Sequence, residues 1–162
     1  MPGRLFVNAS PLILLAGVGG IDWIGRLSPT SISIPRAVID EIEAGPGGAD
    51  LVGSLGDDPR FEIRADIPVP PLVEAWSLGA GESQVLAMSG SEVNAVAILD
   101  DNLARQCALS MNVRVIGTLG IVLAAKRRGW IPAARPVIED LVARRMFLSG
   151  DLIAAALREV GE

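Results

Sequence analysis

Short apolar runs that alternate with helical segments constrain this chain more than any other feature. Arg4 to Val7, Ser31 to Ile34, Ala95 to Leu99 and Val113 to Ile116 each read as a strand, with little of the polar alternation that a half-solvated sheet shows. Phe61 to Arg64 does alternate apolar and charged residues, which suits an edge strand. Helical stretches separate them. Ser10-Pro11 supplies a cap and a first-turn proline for a helix through about Val18, and Gly19-Gly20 breaks it before a second short helix over Ile21 to Leu27. Pro35 opens a helix through about Ala44, and Leu72 to Leu78 forms another after the rigid Pro68 to Pro71 connector. Gly81-Glu82 to Met88, Asn102 to Met111 and a Thr118-capped stretch ending near Gly129 follow. The last two helices span about Ala133 to Met146 and Gly150 to Val160, the latter with Ser149 as N-cap. Gly45 to Arg60, with five glycines, two prolines and several acids, reads as a loop. This order predicts a three-layer α/β/α sandwich on a mostly parallel central sheet. At 162 residues the chain is expected to form one domain over 1–162, with the helices of about 133–160 packed on it.

Composition narrows the chemistry. The chain has no histidine, no tyrosine and one cysteine, Cys107. Ser-His-Asp and Cys-His machinery cannot be assembled, nor can a His-ligated zinc site, and a lone cysteine fits a reducing cytosol. The longest apolar runs fall short of the roughly 18–20 residues that a spanning helix needs. No small-residue cleavage site follows the basic start, so a soluble cytoplasmic protein without membrane association is expected.

Ligands of open α/β sheets bind at the carboxyl ends of the strands, where the strand order switches. The polar residues there are Asn8 and Ser10 after the first strand, Glu41 in the helix after the second, Asp100-Asp101 after the Ala95–Leu99 strand, and Gly117-Thr118 after the last. Glu82 opens a helix, where a carboxylate also simply offsets the helix dipole. In the Asp100-Asp101 doublet, alternation along the strand points one carboxylate at the site while its neighbour caps the next helix. Clustered carboxylates repel unless a cation holds them, and oxygen donors without histidine suit Mg²⁺ or Mn²⁺. Gly17-Val-Gly-Gly20 and Gly79-Ala-Gly81 lack the context of a dinucleotide fingerprint, and no Gly-Lys-Ser/Thr forms a P-loop. A phosphoacceptor receiver would need an acidic pair after the first strand and a lysine after the last, where Asn8 and Gly117-Thr118 stand instead.

The ordered set Val7-Asn-Ala-Ser-Pro-Leu-Ile13, Ile34-Pro-Arg-Ala-Val-Ile-Asp-Glu41, Gly79-Ala-Gly-Glu-Ser-Gln-Val-Leu-Ala87, Ile98-Leu-Asp-Asp-Asn-Leu-Ala-Arg105 and Val115-Ile-Gly-Thr-Leu-Gly120 resembles the PIN-domain nucleases. It looks most like a subfamily related to the VapC toxins of bacterial toxin–antitoxin pairs. The resemblance runs from residue 4 to about residue 158, and its order is specific where no single motif is. It implies a metal-dependent ribonuclease whose acidic positions surround Mg²⁺ or Mn²⁺, with a small antitoxin protein as partner and a homodimer as assembly. Carried over, the four positions fall on Asn8, Glu41, Glu82 and Asp101. Ser10 matches a hydroxyl beside the first acid, and Asp100 stands as the companion acid or as the ligand itself. The family's first position is usually aspartate. Asn8 can ligate through its amide oxygen but brings no charge, which leaves two readings: a weakened nuclease with three carboxylates, or a scaffold that binds protein or RNA without cutting.

For nucleic-acid contacts, the net charge of −5 is offset locally by any bound cation. Arg105 lies at i+4 from Asp101, placed to meet it or a substrate phosphate, and Thr118 stands beside them as a second candidate substrate contact. Lys126-Arg127-Arg128 reads either as a solvated helix end or as an RNA contact, and Arg144-Arg145 forms a second basic group. Three tryptophans, three phenylalanines and no tyrosine argue against a base-stacking platform.

Overall fold

The computed structural model describes residues 3–162. Its strands are β1 (Leu5–Val7), β2 (Ile32–Pro35), β3 (Phe61–Arg64), β4 (Val96–Ile98) and β5 (Arg114–Ile116). They form one five-stranded sheet in the order β3-β2-β1-β4-β5, and every pairing is parallel. Phe61–Arg64 is an edge strand, as its alternation predicts. The central strand carries the most apolar sequence for a physical reason. Leu5, Phe6 and Val7 are flanked on both sides by strands and covered by helices, and Phe6 and Val7 are fully buried.

Helices α1 (Ala9–Gly17) and α2 (Ile21–Leu27) follow β1, and α3 (Arg36–Glu43) and α4 (Gly48–Asp57) follow β2. The single turn α5 (Pro71–Glu74) and α6 (Ala80–Gly90) lead into β4, and α7 (Asn102–Ser110) links it to β5. The chain ends in α8 (Thr118–Arg127), α9 (Arg135–Ala143) and α10 (Gly150–Glu159). Helices α1 and α2 pack on α8, while α6 packs on α7, β1, β2 and β4, so the sheet is covered on both faces as a three-layer sandwich. Ile138 and Leu141 of α9 and Ala156 and Leu157 of α10 are buried in the same apolar cluster as the strands.

Five local expectations differ from the structure. Gly45 to Arg60 is not a loop throughout, because α4 occupies Gly48–Asp57. Leu55 is buried and Leu51 and Val52 pack partly against the core, which outweighs the poor helix propensity of Gly48, Gly53 and Gly56. At Gly48 a Cβ would lie 1.8 Å from the carbonyl oxygen of Ile42, so only glycine fits that approach. Leu72 to Leu78 shrinks to the one turn of α5, since Ser77 adopts a left-handed φ of 52°. Helix α1 starts before Ser10, with Asn8 at its N-cap position, and α8 has Gly117 there in place of Thr118. Helix α9 stops at Ala143, short of Met146. The Ser149 cap is present, its hydroxyl accepting from the Leu152 amide at 3.1 Å. Among the described residues, no helix is long and apolar enough to cross a membrane.

Candidate active site

The strand order turns between β1 and β4, and the crevice at their carboxyl ends receives the polar residues in question. Val7 pairs with Ile98, and the Asn8 amide donates to the Ile98 carbonyl at 3.1 Å. Asn8 is therefore fixed by its backbone where the sheet ends and α1 begins. Its side chain is 2 % exposed. Nδ2 donates to Glu82 Oε1 at 3.2 Å, which aims the amide oxygen Oδ1 away from that carboxylate. Oδ1 has no hydrogen-bond partner. A buried carbonyl oxygen without a donor normally loses roughly 1–3 kcal/mol, so an arrangement that leaves one open calls for an explanation at this atom.

Glu41, exposed on α3, reaches across to α6, where its Oε1 accepts from the Gly81 amide at 3.0 Å. Glu82 is half-buried in the first turn of the same helix. Both carboxylates thus face the positive end of α6, which stabilises their charge. Gly81 makes the convergence possible. A Cβ there would stand 2.8 Å from Glu41 Oε1 and 2.9 Å from Asn8 Oδ1. In the sequence Gly81 reads as a helix-start glycine, and nothing in its neighbours signals this role. The glycine lets two side-chain oxygens, one from the residue after β1 and one from α3, close on the start of α6.

The aspartates divide their work differently from the simple alternation. Asp101 is the N-cap of α7, its Oδ2 accepting from the Ala104 amide at 2.8 Å. Asp100 turns to α8, where Oδ1 accepts from the Thr118 amide at 2.8 Å and Oδ2 from the Thr118 hydroxyl at 2.6 Å. Each carboxylate therefore anchors a helix start, and both still line the same cleft as Glu41, Ser10 and Arg105. Thr118 is completely buried, so its hydroxyl holds Asp100 and presents nothing to a substrate. Ser10 is exposed in the first turn of α1. Arg105 does not pair with Asp101. Its Nη1 donates to the Leu99 carbonyl at 3.1 Å and lies over Gly117, where a Cβ would meet it at 2.5 Å.

Among the described residues, no three Asp, Glu, Cys or His side chains stand close enough to hold a metal ion by themselves. Asn8, Glu41 and Glu82 meet at α6, while Asp100 and Asp101 stand at the starts of α8 and α7. The donor set is nonetheless entirely oxygen, and the open Asn8 Oδ1 beside Glu41 is the acceptor that a hard divalent cation would satisfy. Asn8, Glu41 and Glu82 are the residues that could hold such an ion, with the amide oxygen as a neutral ligand.

Other candidates are accounted for within the fold. Cys107 is buried on α7 and burial pushes its thiol up from the ordinary range, the opposite of an activated nucleophile. Lys126 donates to the Pro132 carbonyl, Arg127 pairs with Glu159, and Arg128 and Arg26 lie 5.2 and 5.5 Å from the Trp130 ring centroid. The basic run at the end of α8 is thus engaged by the protein, and Trp130 with it.

A family model described as a PIN domain matches residues 4–162. No curated protein matches the chain.

Proposed function

Because the chain belongs to the PIN-domain family, whose fold is a nuclease fold, we propose that it is a metal-dependent endoribonuclease that hydrolyses RNA phosphodiester bonds. The observation that carries this reading is the buried, unpartnered Asn8 Oδ1, set beside Glu41 and Glu82 at the switch point of the sheet. Asn8, Glu41, Glu82 and Asp101 would hold Mg²⁺ or Mn²⁺, with Asp100 as the further oxygen ligand. A bound ion of this kind polarises the phosphodiester and lowers the pKa of water, so no histidine base is needed.

The protein's own groups then orient and position. The Gly81 amide holds Glu41, the Asn8 amide nitrogen holds Glu82, and the Ala104 amide holds Asp101, so all three carboxylates are in place before substrate arrives. Glu41, Glu82 and Asp101 orient the attacking water. Ser10 and Arg105 line the cleft as hydroxyl and cation for the phosphate. Thr118 acts through Asp100. In this reading the protein is a cytoplasmic toxin of the VapC type, paired with a small antitoxin protein and dimeric in solution. A small open reading frame directly beside its gene would support that pairing, and an isolated gene would count against it.

The test is cleavage of single-stranded RNA by the purified protein with Mn²⁺, alongside Asp101→Asn and Glu41→Gln. The wild type is expected to cleave and to stop in EDTA, with both variants slower by roughly 100-fold or more. Equal activity in all three would identify a contaminating nuclease and overturn the reading. A second reading, a scaffold that binds without cutting, draws on the neutral Asn8 and on the separation of the aspartates from Glu41 and Glu82. It predicts no cleavage with either metal and binding that survives both substitutions.

A further inference from the structure

The cleft that holds the acids does not end at them. It is one continuous volume of about 1050 Å³, and its other end is walled by Arg144, Arg145 and Phe147. Three features of that end bear on what it could hold. Phe147 is 98 % exposed, whereas Phe6 and Phe61 are buried in the core. Arg145 is exposed and makes no side-chain hydrogen bond or ion pair among the described residues, while neighbouring Arg144 is held by Asp140 at 3.0 Å. Glu159, an acid on the same wall, is neutralised by Arg127.

The backbone explains how these side chains come to stand there. Helix α9 ends in a Schellman turn. The Arg145 amide donates to the Val142 carbonyl and the Met146 amide to the Leu141 carbonyl, both at 3.0 Å, with Arg145 at φ 70°. Met146 is thereby drawn against the core, which leaves Phe147 outside. A left-handed φ favours glycine, so arginine at this position meets no local backbone preference. The turn is well fixed, and it presents one free cation and, two residues on, one free aromatic ring along the same cleft.

We infer that the Arg145–Phe147 end of the cleft is a subsite for single-stranded RNA, in which Phe147 stacks on one base and Arg145 contacts an adjacent phosphate. This rests on the reading of the acidic end as an RNA site. An aromatic ring beside a cation matches the alternating base and phosphate of a single strand. A duplex keeps its bases stacked on one another and offers no free face to the ring, so the subsite selects unpaired RNA. It is a single ring and not a platform, in keeping with the scarcity of aromatic residues. It also places positive charge where the overall −5 would otherwise repel the strand.

The experiment measures binding of a fluorescein-labelled, mixed-sequence single-stranded RNA 12-mer in EDTA by anisotropy, and its cleavage with Mn²⁺. The proteins are the wild type, Phe147→Ala, Phe147→Trp and Arg145→Gly. Phe147 is almost wholly solvent-exposed and glycine suits the left-handed backbone, so none of these changes threatens the fold. Phe147→Ala is expected to weaken binding roughly tenfold, with Phe147→Trp retaining it. Arg145→Gly should lower the salt dependence of binding by about one ion. The same sequence as a duplex should bind more weakly to the wild type and be indifferent to Phe147→Ala. Should the wild type cleave RNA while Phe147→Ala and Arg145→Gly bind and cleave like it, the subsite is wrong and the nuclease reading stands. Should the wild type bind in a Phe147-dependent manner yet never cleave, the nuclease reading fails and the subsite survives. A wild type that neither binds nor cleaves RNA overturns both.

Discussion

Replacing Asn8 by aspartate changes one atom and tests the site at its centre. The Asn8 amide nitrogen stands 3.2 Å from Glu82 Oε1 and donates to it. In Asn8→Asp that favourable contact becomes oxygen against oxygen, with a second negative charge in a position 2 % exposed. At 3.2 Å and an effective dielectric of 20, two unit charges repel by about 5 kcal/mol, a ceiling that water around the half-buried Glu82 reduces. We expect a loss of about 3 kcal/mol in EDTA, which for a chain of this size lowers Tm by roughly 6–12 °C. A cation bound by the same oxygens reverses the sign of the effect. Mn²⁺ at one hundred times its Kd returns about 2.7 kcal/mol to the folded state. Thermal unfolding of wild type and Asn8→Asp, each in EDTA and across a Mn²⁺ titration, reads both terms, and RNA cleavage by the variant is expected to rise. An Asn8→Asp protein as stable as the wild type in EDTA would refute the packing of donors described here. One whose deficit Mn²⁺ leaves untouched would refute the cation.

Two further outcomes follow from groups that hold the site and the fold. Thr118→Val keeps the buried volume but removes the hydroxyl that donates to Asp100 at 2.6 Å, and urea unfolding should show a loss of about 2 kcal/mol, with Thr118→Ser between it and the wild type. A Thr118→Val protein within about 0.5 kcal/mol of the wild type would show that the backbone amide alone fixes Asp100. Arg60 hydrogen-bonds Asp58 and Asp22 and holds both carboxyls below their usual range. Their folded-state affinity for protons is lowered, so the stabilisation is present above the unfolded carboxylate pKa of roughly 3.9 and disappears as pH falls through the folded values. These side chains are partly solvated, so Arg60→Ala should cost only about 1 kcal/mol near neutral pH. That difference should shrink below about pH 4; a difference that is constant down to pH 3 would exclude the ion pairs as its source.

The parallel sheet was legible because its strands must be apolar on both faces, and Leu5 to Val7 and Ala97 to Leu99 carry little else. Candidate site residues were legible for a related reason: the fold puts whatever follows such strands at one edge. What the sequence hid is set by tertiary packing. Helix α4 is glycine-rich, and the packing of Leu55, Leu51 and Val52 against the core stabilises it as a helix. Gly81 reads as a helix-start glycine until Glu41 and Asn8 are seen to need the space of its missing Cβ. The two aspartates are adjacent in sequence, yet they cap different helices, because Thr118 follows a strand paired beside theirs. Phe147 lies within two residues of a noted basic pair, but a phenylalanine is ordinarily core, and nothing short of the α9 turn shows that this one is turned out.

The place of β1 in the sheet has a consequence in time. Leu5 pairs with Val96, about ninety residues further along the chain. A ribosome adding roughly 5–20 residues per second needs on the order of 5–20 s to cover that interval. Throughout it the most apolar strand of the protein has one unpaired edge, the condition under which nascent chains meet chaperones or one another. The oxygen donors share this schedule, since Asn8 is among the first of them synthesised and Asp101 the last. A chain interrupted anywhere between them holds only scattered acids on an open sheet, and slowing or speeding translation across this stretch should change the soluble yield more than a comparable change after β5.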